Sequence, residues 1–375
     1  MTWDDFQLSD DLLRGIYAYG FEIPSDIQKK TIPIILEKKD LVAQAQSGSG
    51  KTGAFLISSL QSINTALQHT QVLILLPTHE LVKQVHNVAS QLSYTIKGIN
   101  IATLIGGTSI REDAQKFRRN PPHMVIGTTG RVLDMIEKNI LKTDKLSMLV
   151  LDEADEMLSK GFNDKLKSMF VYFPIEMQIV LFSATMPRDV VYLSQKFMRN
   201  PEHILVKREE LSLQCITQFY IASKKEEKYK KLKEIFSLIS TNKTIIYCNT
   251  VDSVVSLYKD MKNDDFSVEC LHGNMTKIER MSIYEKFRVG DTRVLISSDL
   301  TARGIDIQQI SMVVNYEITP NTNTYLHRIG RSGRYGRKGW AINFVTKQDL
   351  ITVRELERVY NIDMQELPSN FQQLL

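Results

Sequence analysis

A run of small residues that ends in a lysine and a threonine, AQSGSGKT at residues 45–52, offers the clearest chemistry in the sequence. It follows a short apolar run and opens an amphipathic stretch, as a loop between a strand and a helix would. Glycines in such a loop let backbone N–H groups face phosphate oxygens, and the helix N-terminus adds its dipole. Lys51 would reach the β- and γ-phosphates of a nucleotide, and Thr52 would ligate Mg²⁺. The other contacts would come from the loop residues Ser47, Gly48, Ser49 and Gly50.

Two carboxylates at the end of another apolar run could bind Mg²⁺ and activate water beside such a phosphate loop. In LVLDEADEML at residues 149–158, Asp152 would hold Mg²⁺, often through water, and Glu153 would polarise an attacking water. An acidic start of a helix is the alternative interpretation, because Asp and Glu favour a first helical turn anyway. The phosphate loop upstream favours the catalytic interpretation.

Arginines alternate with glycines in HRIGRSGRYGRKG at residues 327–339. Basic runs are usually solvated faces or nucleic-acid patches. Here the spacing suits side chains that approach a ligand closely, since Arg331 and Arg334 lie three apart and could project from one side of a helical turn. Guanidinium groups stabilise charge on a transferring γ-phosphoryl group. If these arginines lie in a second domain, hydrolysis requires the two domains to close on the nucleotide.

Short apolar runs recur through both halves of the chain, and amphipathic stretches separate most of them. Examples are VLILLP at 72–77, MLVLDE at 148–153 and IVLFSAT at 179–185 in the first half, and TIIYCN at 244–249 and RVLISSD at 293–299 in the second. Near-continuous hydrophobic strands that alternate with helices indicate parallel sheets covered on both faces. The predicted fold class is therefore α/β.

The division into domains follows from the length and from one charged segment. A chain of 375 residues is too long for one ordinary core. The segment VKREELSLQ at 206–214 shows neither a strand nor a helix pattern. The sequence therefore predicts two tandem domains, residues 1–207 and 215–375, joined by a short linker at 208–214.

Polar clusters follow nearly every apolar run of the first half. In parallel sheets, ligands bind just beyond the carboxyl ends of the strands. A solvated loop has no reason to repeat this placement, so we expect the clusters to meet in one site. They are Gln46–Thr52, Thr78–Glu80, Gly106–Gly107, Thr128–Arg131, Asp152–Asp155 and Ser183–Thr185.

The composition narrows the class of protein. Hydrophobic residues make up 43% and charged residues 24%, which is typical of a soluble globular chain, and the net charge of +4 is compatible with a polyanionic partner. The three cysteines form no CxxC pair, which favours a reducing compartment. No apolar stretch approaches transmembrane length, and the acidic start MTWDDFQLSDD predicts neither a secretory signal nor a transit peptide.

Five motifs, in this order along the chain, resemble those of the DEAD-box ATP-dependent RNA helicases: AQSGSGKT, DEAD, SAT, SSDLTARGID and HRIGRSGR. The match extends from residue 6 almost to the C-terminus. The resemblance implies two RecA-like domains, ATP and Mg²⁺ as cofactors, single-stranded RNA as a partner, and ATP hydrolysis coupled to local unwinding. Stretches such as DEADEMLSKGF and ELPSN are most similar to the translation-initiation subgroup, whereas GRSGRYGRKG is closer to the exon-junction subgroup.

The resemblance also implies roles for individual residues. Gln28 would read the adenine edge with Phe21 against the ring, and Asp306 would contact the nucleotide from the second domain. Asp155, Ser183, Thr185 and His327 would link the ATP site to closure. An RNA-backbone groove, with little sequence specificity, would be lined by Pro77, Thr78, Gly106, Gly107, Thr128, Gly130 and Arg131 in the first domain and by Gly273, Arg280, Ser298, Asp299 and Arg303 in the second.

The segment LLPTHELVKQVH at 75–86 is not a zinc site, because a zinc-protease helix needs His at the position of Lys83. It resembles the family's Pro-Thr-Arg-Glu-Leu instead, with His79 in place of Arg. Thr129 likewise stands where the family has Pro, and Lys277 where it has Gln. The hydrolytic set is intact and the RNA-contacting set is altered, which predicts a normal ATPase with weaker RNA affinity and a flatter salt dependence.

Two functions fit these residues. The first is a cytoplasmic, monomeric helicase that acts on mRNA leaders in translation initiation, with a scaffold or regulatory protein as partner. The second is an ATP-gated RNA clamp in an exon-junction-type or rRNA-processing complex, which would place the protein in the nucleus. A third candidate, a small-molecule nucleotide kinase, is disfavoured by the two tandem lobes and by the arginine pair. None of these predicts a membrane partner.

Overall fold

The computed structural model describes the chain except for residues 46–47, 160–161, 205–215, 239–242, 300–309, 333–338, 361, 369–370 and 372–375. It divides into two compact units, Met1–Val206 and Lys207–Leu375. The predicted linker, 208–214, lies outside the described residues. Among the helices that the structure describes, none has the length and apolar character needed to cross a membrane.

The first unit is a parallel sheet of seven strands. Its strands are β1 (Leu41–Gln44), β2 (Val72–Leu75), β3 (Ile101–Leu104), β4 (Met124–Gly127), β5 (Met148–Leu151), β6 (Gln178–Ser183) and β7 (Glu202–Ile204). Its helices are α1 (Asp10–Ala18), α2 (Asp26–Leu36), α3 (Lys51–Ser62), α4 (His79–Leu92), α5 (Ile110–Arg119), α6 (Thr129–Glu137), α7 (Ala154–Ser159), α8 (Phe162–Phe170) and α9 (Arg188–Phe197). The strand order is β3-β4-β2-β5-β6-β1-β7.

The second unit is also a parallel sheet of seven strands. Its strands are β8 (Ile216–Ala222), β9 (Lys243–Tyr247), β10 (Val268–Leu271), β11 (Val294–Ser297), β12 (Ile310–Asn315), β13 (Gly339–Val345) and β14 (Gln365–Glu366). Its helices are α10 (Lys228–Leu238), α11 (Val251–Asn263), α12 (Lys277–Val289), α13 (Thr322–Ile329) and α14 (Leu350–Tyr360). The order is β10-β11-β9-β12-β13-β8-β14, and the α/β prediction is confirmed.

The central strands of each sheet are buried on both faces, as their apolar sequences require. In β2, Val72 and Ile74 belong to one apolar cluster and Leu73 and Leu75 to the other. Successive side chains of a strand point to opposite faces, so a strand covered by helices on both sides must be apolar throughout. This explains the continuous hydrophobic runs and the absence of a polar alternation.

The strand register brings the polar clusters of the first unit to one edge. Gln44 at the end of β1 pairs with Ser183 at the end of β6, and Leu75 at the end of β2 pairs with Leu151 at the end of β5. The chain therefore leaves neighbouring parallel strands at the same level of the sheet. The phosphate loop, the DEAD segment and the SAT segment all begin at this edge.

Candidate active site

The phosphate loop leads into α3 through glycines with left-handed backbone. Gly48 and Gly50 have φ values of 85° and 100°, and a residue with a Cβ atom would be strained at these angles. A Cβ atom at Gly50 would also lie 2.5 Å from Ser25 Oγ. These constraints explain why glycine occupies both positions ahead of Lys51. Ser47 lies outside the described residues, while Ser49 lies in the loop and Thr52 in the first turn of α3.

Lys51 is a buried ammonium placed beside two carboxylates. Its Nζ lies 3.9 Å from Asp152 Oδ1 and 3.9 Å from Glu153 Oε1, too far for a hydrogen bond, and it makes none to any residue that the structure describes. A buried charge without a hydrogen bond destabilises a protein, so this arrangement fits a ligand that supplies the missing partner. A polyphosphate with its Mg²⁺ matches the site, because it offers oxygens to Lys51 and a cation to the carboxylates.

Asp152 has a shifted pKa and Glu153 an unusual backbone angle, and both features are common among residues of active sites. Burial raises the pKa of Asp152 to about 7, although the charge of Lys51 opposes this effect. Glu153 has a left-handed backbone with φ 54°, which is uncommon for a residue with a side chain. The Glu153 N–H donates to Asp152 Oδ1 at 3.0 Å and so fixes the two carboxylates relative to each other.

Three of the residues predicted to link ATP to domain closure lie together in the first unit. Thr185 Oγ1 donates to Asp155 Oδ2 at 2.6 Å, and the Asp155 N–H donates to Ser183 Oγ at 3.2 Å. Gln44 Nε2 donates to the Ala184 carbonyl at 3.2 Å and braces the same segment. The fourth, His327, is buried on α13 of the second unit. A coupling between the units stays a prediction.

Gln28 is fixed against the phosphate loop. Its Oε1 accepts from the Ser25 N–H at 2.7 Å, and its Nε2 donates to the Gly50 carbonyl at 3.1 Å. Gly53 is needed for this close packing, because a Cβ there would lie 2.5 Å from Gln28 Nε2 and 3.1 Å from the Phe21 ring. The structure thus places both adenine-site candidates beside the loop, and their contact with the base stays a prediction.

The predicted RNA contacts of the first unit already make hydrogen bonds within the protein. Thr78 caps α4 by accepting from the Leu81 N–H at 3.3 Å. His79 Nε2 accepts from the Gly106 N–H at 3.2 Å. The neighbouring Gly107 has a φ of 85°, so this turn also depends on glycine. His79 therefore does more than replace an arginine, because it holds a backbone amide that was predicted to face RNA.

Arg131 braces the same turn from the other side. Its Nη1 donates to Asp113 Oδ2 at 2.9 Å and to Thr108 Oγ1 at 2.7 Å, and its Nη2 donates to the Thr108 carbonyl at 2.8 Å. The side chain is only 8% exposed. The guanidinium is thus bound within the protein and positions the turn after Gly107. Pro77, Thr128 and Gly130 lie at the same edge of the sheet, beyond β2 and β4.

Arg328 organises the part of the second unit that holds Asp299, one of the predicted RNA contacts. It is fully buried, and its guanidinium donates to Asp299 Oδ1 at 2.5 Å, to Asn249 Oδ1 at 2.8 Å and to the Glu317 carbonyl at 2.8 Å. Its carbon Cζ lies 5.2 Å from the centre of the Tyr247 ring. The sequence analysis missed this residue, although it lies within HRIGR, because the other arginines of that run were assigned to phosphate.

The remaining candidates of the second unit are only partly described. Arg331 is buried, and its Nε donates to the His327 carbonyl at 3.1 Å. A Cβ atom at Gly273 would meet no other atom within 4 Å. Arg280 lies in the first turn of α12. The Ser298 N–H donates to the Leu271 carbonyl at 3.4 Å. Four candidates lie outside what the structure describes, namely Arg303, Asp306, Arg334 and the side chain of Lys277.

Comparison with known proteins gives the family. Residues 25–193 match the model of the DEAD/DEAH box helicases, and residues 227–336 match the helicase conserved C-terminal domain. Eukaryotic initiation factor 4A of Caenorhabditis elegans is 47% identical over 375 residues, which cover 100% of this chain and 93% of that protein. The chain belongs to the DEAD-box ATP-dependent RNA helicases. The identification made from the motifs is confirmed.

Further relatives agree with this assignment. The ATP-dependent RNA helicase eIF4A of Saccharomyces cerevisiae is 48% identical over 100% of this chain and 94% of its own length. Among solved structures, S. cerevisiae Dbp5 bound to RNA and ADP BeF3 matches with a TM-score of 0.92 and 32% identity, over 100% of this chain and 97% of that one. Mss116p bound to single-stranded RNA and AMP-PNP matches with a TM-score of 0.87 and 30% identity, over 99% and 80%. The prediction of RecA-like domains is confirmed.

Proposed function

We propose that this helicase acts in translation initiation, where it binds single-stranded regions of mRNA leaders and unwinds short duplexes locally. The observation that carries the proposal is the identity of 46–48% to initiation factors 4A from a nematode and from yeasts, over the whole of this chain. Such similarity along both units extends well beyond the motifs that all helicases of this family share. A cytoplasmic location and a monomeric state are part of the same proposal.

The hydrolytic role is assigned to residues of the first unit, together with two arginines of the second. Lys51 would hold the phosphates, and Thr52 and Asp152 would hold Mg²⁺. Bound Mg·ATP supplies the γ-phosphoryl group that the water attacks. Glu153 would orient that water and accept its proton, since the residue is buried 3.9 Å from Lys51 Nζ and fixed by its left-handed backbone. The exclusion of bulk water by this buried set would strengthen each interaction. Arg331 and Arg334 are assigned to the developing charge, as the spacing predicts.

The RNA role is assigned to backbone and capping groups at the sheet edges. The turn at Gly106 and Gly107 and the starts of α4 and α6 would contact phosphates and sugars, which carry no base identity. In the second unit, the Asp299 carboxylate would accept from ribose hydroxyls of the RNA. A partner of the scaffold type, acting in the initiation complex, would then select the RNA.

The proposal is tested by the ATPase rate with and without single-stranded RNA, together with translation of reporter mRNAs whose leaders are structured or unstructured. In an extract depleted of its own initiation factor 4A, the wild-type chain should restore translation, with the larger effect on structured leaders. A Lys51→Ala variant serves as the inactive control. If the chain holds RNA stably with ATP, turns over little and restores neither reporter, the RNA-clamp function replaces this one.

A further inference from the structure

An open pocket of about 330 Å³ lies at the edge of the first unit opposite the nucleotide site. Phe170 and Phe197, the last residues of α8 and α9, line it together with Ile179 near the start of β6. Ser183, at the other end of β6, lies at the edge that holds the DEAD and SAT segments. A strand of this length spans about 20 Å at 3.3 Å per residue, so the pocket is separate from the site of hydrolysis.

The floor of the pocket is aromatic and fixed. The Phe170 and Phe197 rings stack with their centres 4.1 Å apart and their planes at 9°. Phe173 meets Phe170 edge-on at 5.7 Å. Because these rings already contact one another, they form a rigid apolar surface that needs no rearrangement to receive an apolar side chain.

The rim of the pocket exposes aliphatic side chains. Val171 is 83% exposed and Ile175 is 87% exposed, and both line the pocket. A single exposed aliphatic residue needs no explanation, but two beside an aromatic floor form a patch that gains free energy when it is covered. The volume lies near the lower end for ligand pockets, so it suits one or two side chains and not a folded domain.

The charge around the pocket gives the chemistry of the occupant. Lys167, Lys196 and Arg199 line it. Arg199 pairs with Glu176 at 2.5 Å, but Lys167 and Lys196 form no ion pair with any carboxylate of described position. The two lysines instead lie 5.8 Å and 5.7 Å from the centre of the Tyr192 ring. An apolar floor under two uncompensated cations complements an apolar anchor with acidic neighbours.

We propose that this pocket binds a short linear peptide of a partner protein, with a bulky apolar side chain on the Phe170–Phe197 floor and Asp or Glu beside Lys167 and Lys196. RNA fits less well, because Phe170 and Phe197 already stack on each other and leave less ring surface for a base, while the rim offers aliphatic side chains such as Val171 and Ile175. The inference does not depend on a role in translation initiation, since it rests on this surface alone.

The test uses the full chain and fluorescein-labelled decapeptides with two positions fixed as Phe and Leu, the remainder being Asp and Glu. A matched set carries Lys and Arg instead. Fluorescence anisotropy should show saturable binding of the acidic set alone. Ile175→Glu and Lys196→Glu should each weaken the binding of the acidic peptides about tenfold or more. The first places a negative charge on the apolar rim, and the second replaces an attractive charge by a repulsive one. The matched controls Ile351→Glu and Lys259→Glu, at exposed positions of the second unit, should bind the peptides as the wild type does.

Because Ile175 and Lys196 lie on the surface, their variants should fold, and circular dichroism and the ATPase rate without peptide should match the wild type. The proposal is overturned if the acidic and basic peptides bind equally, or if the controls weaken binding as much as the pocket variants. It is also overturned if Ile175→Glu abolishes a self-association of the free chain, which would make a second copy the occupant. Direct binding of labelled single-stranded RNA that competes with the acidic peptide, and that Lys196→Glu weakens, would assign the surface to RNA.

Discussion

The predicted nucleotide contacts and the predicted RNA contacts of the first unit lie at the same edge of one sheet but are built differently. Lys51, Asp152 and Glu153 are buried charges held apart at 3.9 Å, with Lys51 making no hydrogen bond to any residue of described position. On the RNA-facing side, His79 already binds the Gly106 amide and Arg131 already binds Asp113. One set is arranged for a ligand that completes it, whereas the other is largely satisfied within the protein.

This difference has a consequence for substitutions in the two sets. A substitution in the buried Lys51, Asp152 and Glu153 set would leave a buried charge without its ion-pair partner, which destabilises a protein strongly. In a capping or turn position, a different side chain can make an alternative hydrogen bond within the protein. His79 is an example, since its ring nitrogen accepts from the Gly106 N–H. The predicted RNA contacts can therefore change with less loss of stability than the hydrolytic set.

The largest expected effect comes from Glu153→Gln. The amide keeps the size of the side chain but cannot accept a proton from the attacking water, so kcat should fall about 10²- to 10⁴-fold. The measurement is the steady-state ATPase rate at saturating RNA. Glu156→Gln, one turn later on α7 and also buried, is the matched control and should retain most of the activity. An unchanged rate in Glu153→Gln would refute the assignment of the base.

The next effect concerns Arg328, whose internal hydrogen bonds hold Asp299, a predicted RNA contact, in the second unit. Arg328→Met keeps the apolar stem and leaves Asp299, Asn249 and the Glu317 carbonyl without their donor. The free energy of unfolding should fall by at least about 2 kcal/mol, and RNA affinity should fall with it. Urea unfolding followed by circular dichroism gives the first quantity.

The control for Arg328 is another ion-paired arginine with a different environment. Arg288 pairs with Glu285 on the surface, where its side chain is 57% exposed. Arg288→Met should change the free energy of unfolding by no more than about 1 kcal/mol. If the two arginines behave alike, the internal network does not hold the second unit together as its geometry indicates.

A smaller effect is expected from His79→Arg. The substitution removes the acceptor of the Gly106 N–H and adds a permanent charge where the family has one. RNA affinity should rise about three- to tenfold, and the logarithmic salt slope should steepen by about one phosphate contact. His79→Gln separates the two causes, because it removes the ring without adding charge. An affinity that does not rise in His79→Arg would show that this position does not limit RNA binding.

The sequence alone was sufficient for the fold and for the family, and it named the hydrolytic candidates that the structure brings together, for a physical reason. Parallel strands covered on both faces must be apolar throughout, and a phosphate loop needs glycines at fixed spacing. Both constraints are local and are visible in a single chain. The register then places Gln44 beside Ser183 without further information, because strand ends in a parallel sheet meet at one edge.

The side-chain network could not be predicted in the same way. Arg328 meets Asn249, which lies 79 residues away in the sequence, and the bond depends on how α13 packs on the sheet. The His79–Gly106 bond likewise joins residues 27 apart. No local pattern marks such pairs, so His79 looked like a lost contact. The structure adds that its ring accepts from the Gly106 N–H, and the weaker RNA contact stays a prediction.

The smallest expected effect is at Thr129, and it is a gain. Thr129 is the first residue of α6, where proline is favoured because its missing N–H would have no helical partner. Thr128 before it has φ −92° and ψ 143°, the extended backbone that a following proline requires. Thr129 Oγ1 is also buried with no hydrogen bond to the described part of the chain. Thr129→Pro should therefore raise the free energy of unfolding by about 0.4–1 kcal/mol.

Thermal unfolding of Thr129→Pro, with Thr129→Ala as the matched variant that removes the hydroxyl alone, separates the two causes. If only Thr129→Pro is more stable than the wild type, the cause is the smaller conformational freedom of the unfolded chain. If Thr129→Ala is equally stabilised, the cause is the removal of the buried hydroxyl. ATPase activity should stay unchanged in both, because the residue lies outside the hydrolytic set. A loss of stability in Thr129→Pro would mean that this turn has diverged in backbone as well as in side chain. The predicted RNA contacts would then differ from those of the family in backbone conformation as well as in side chains.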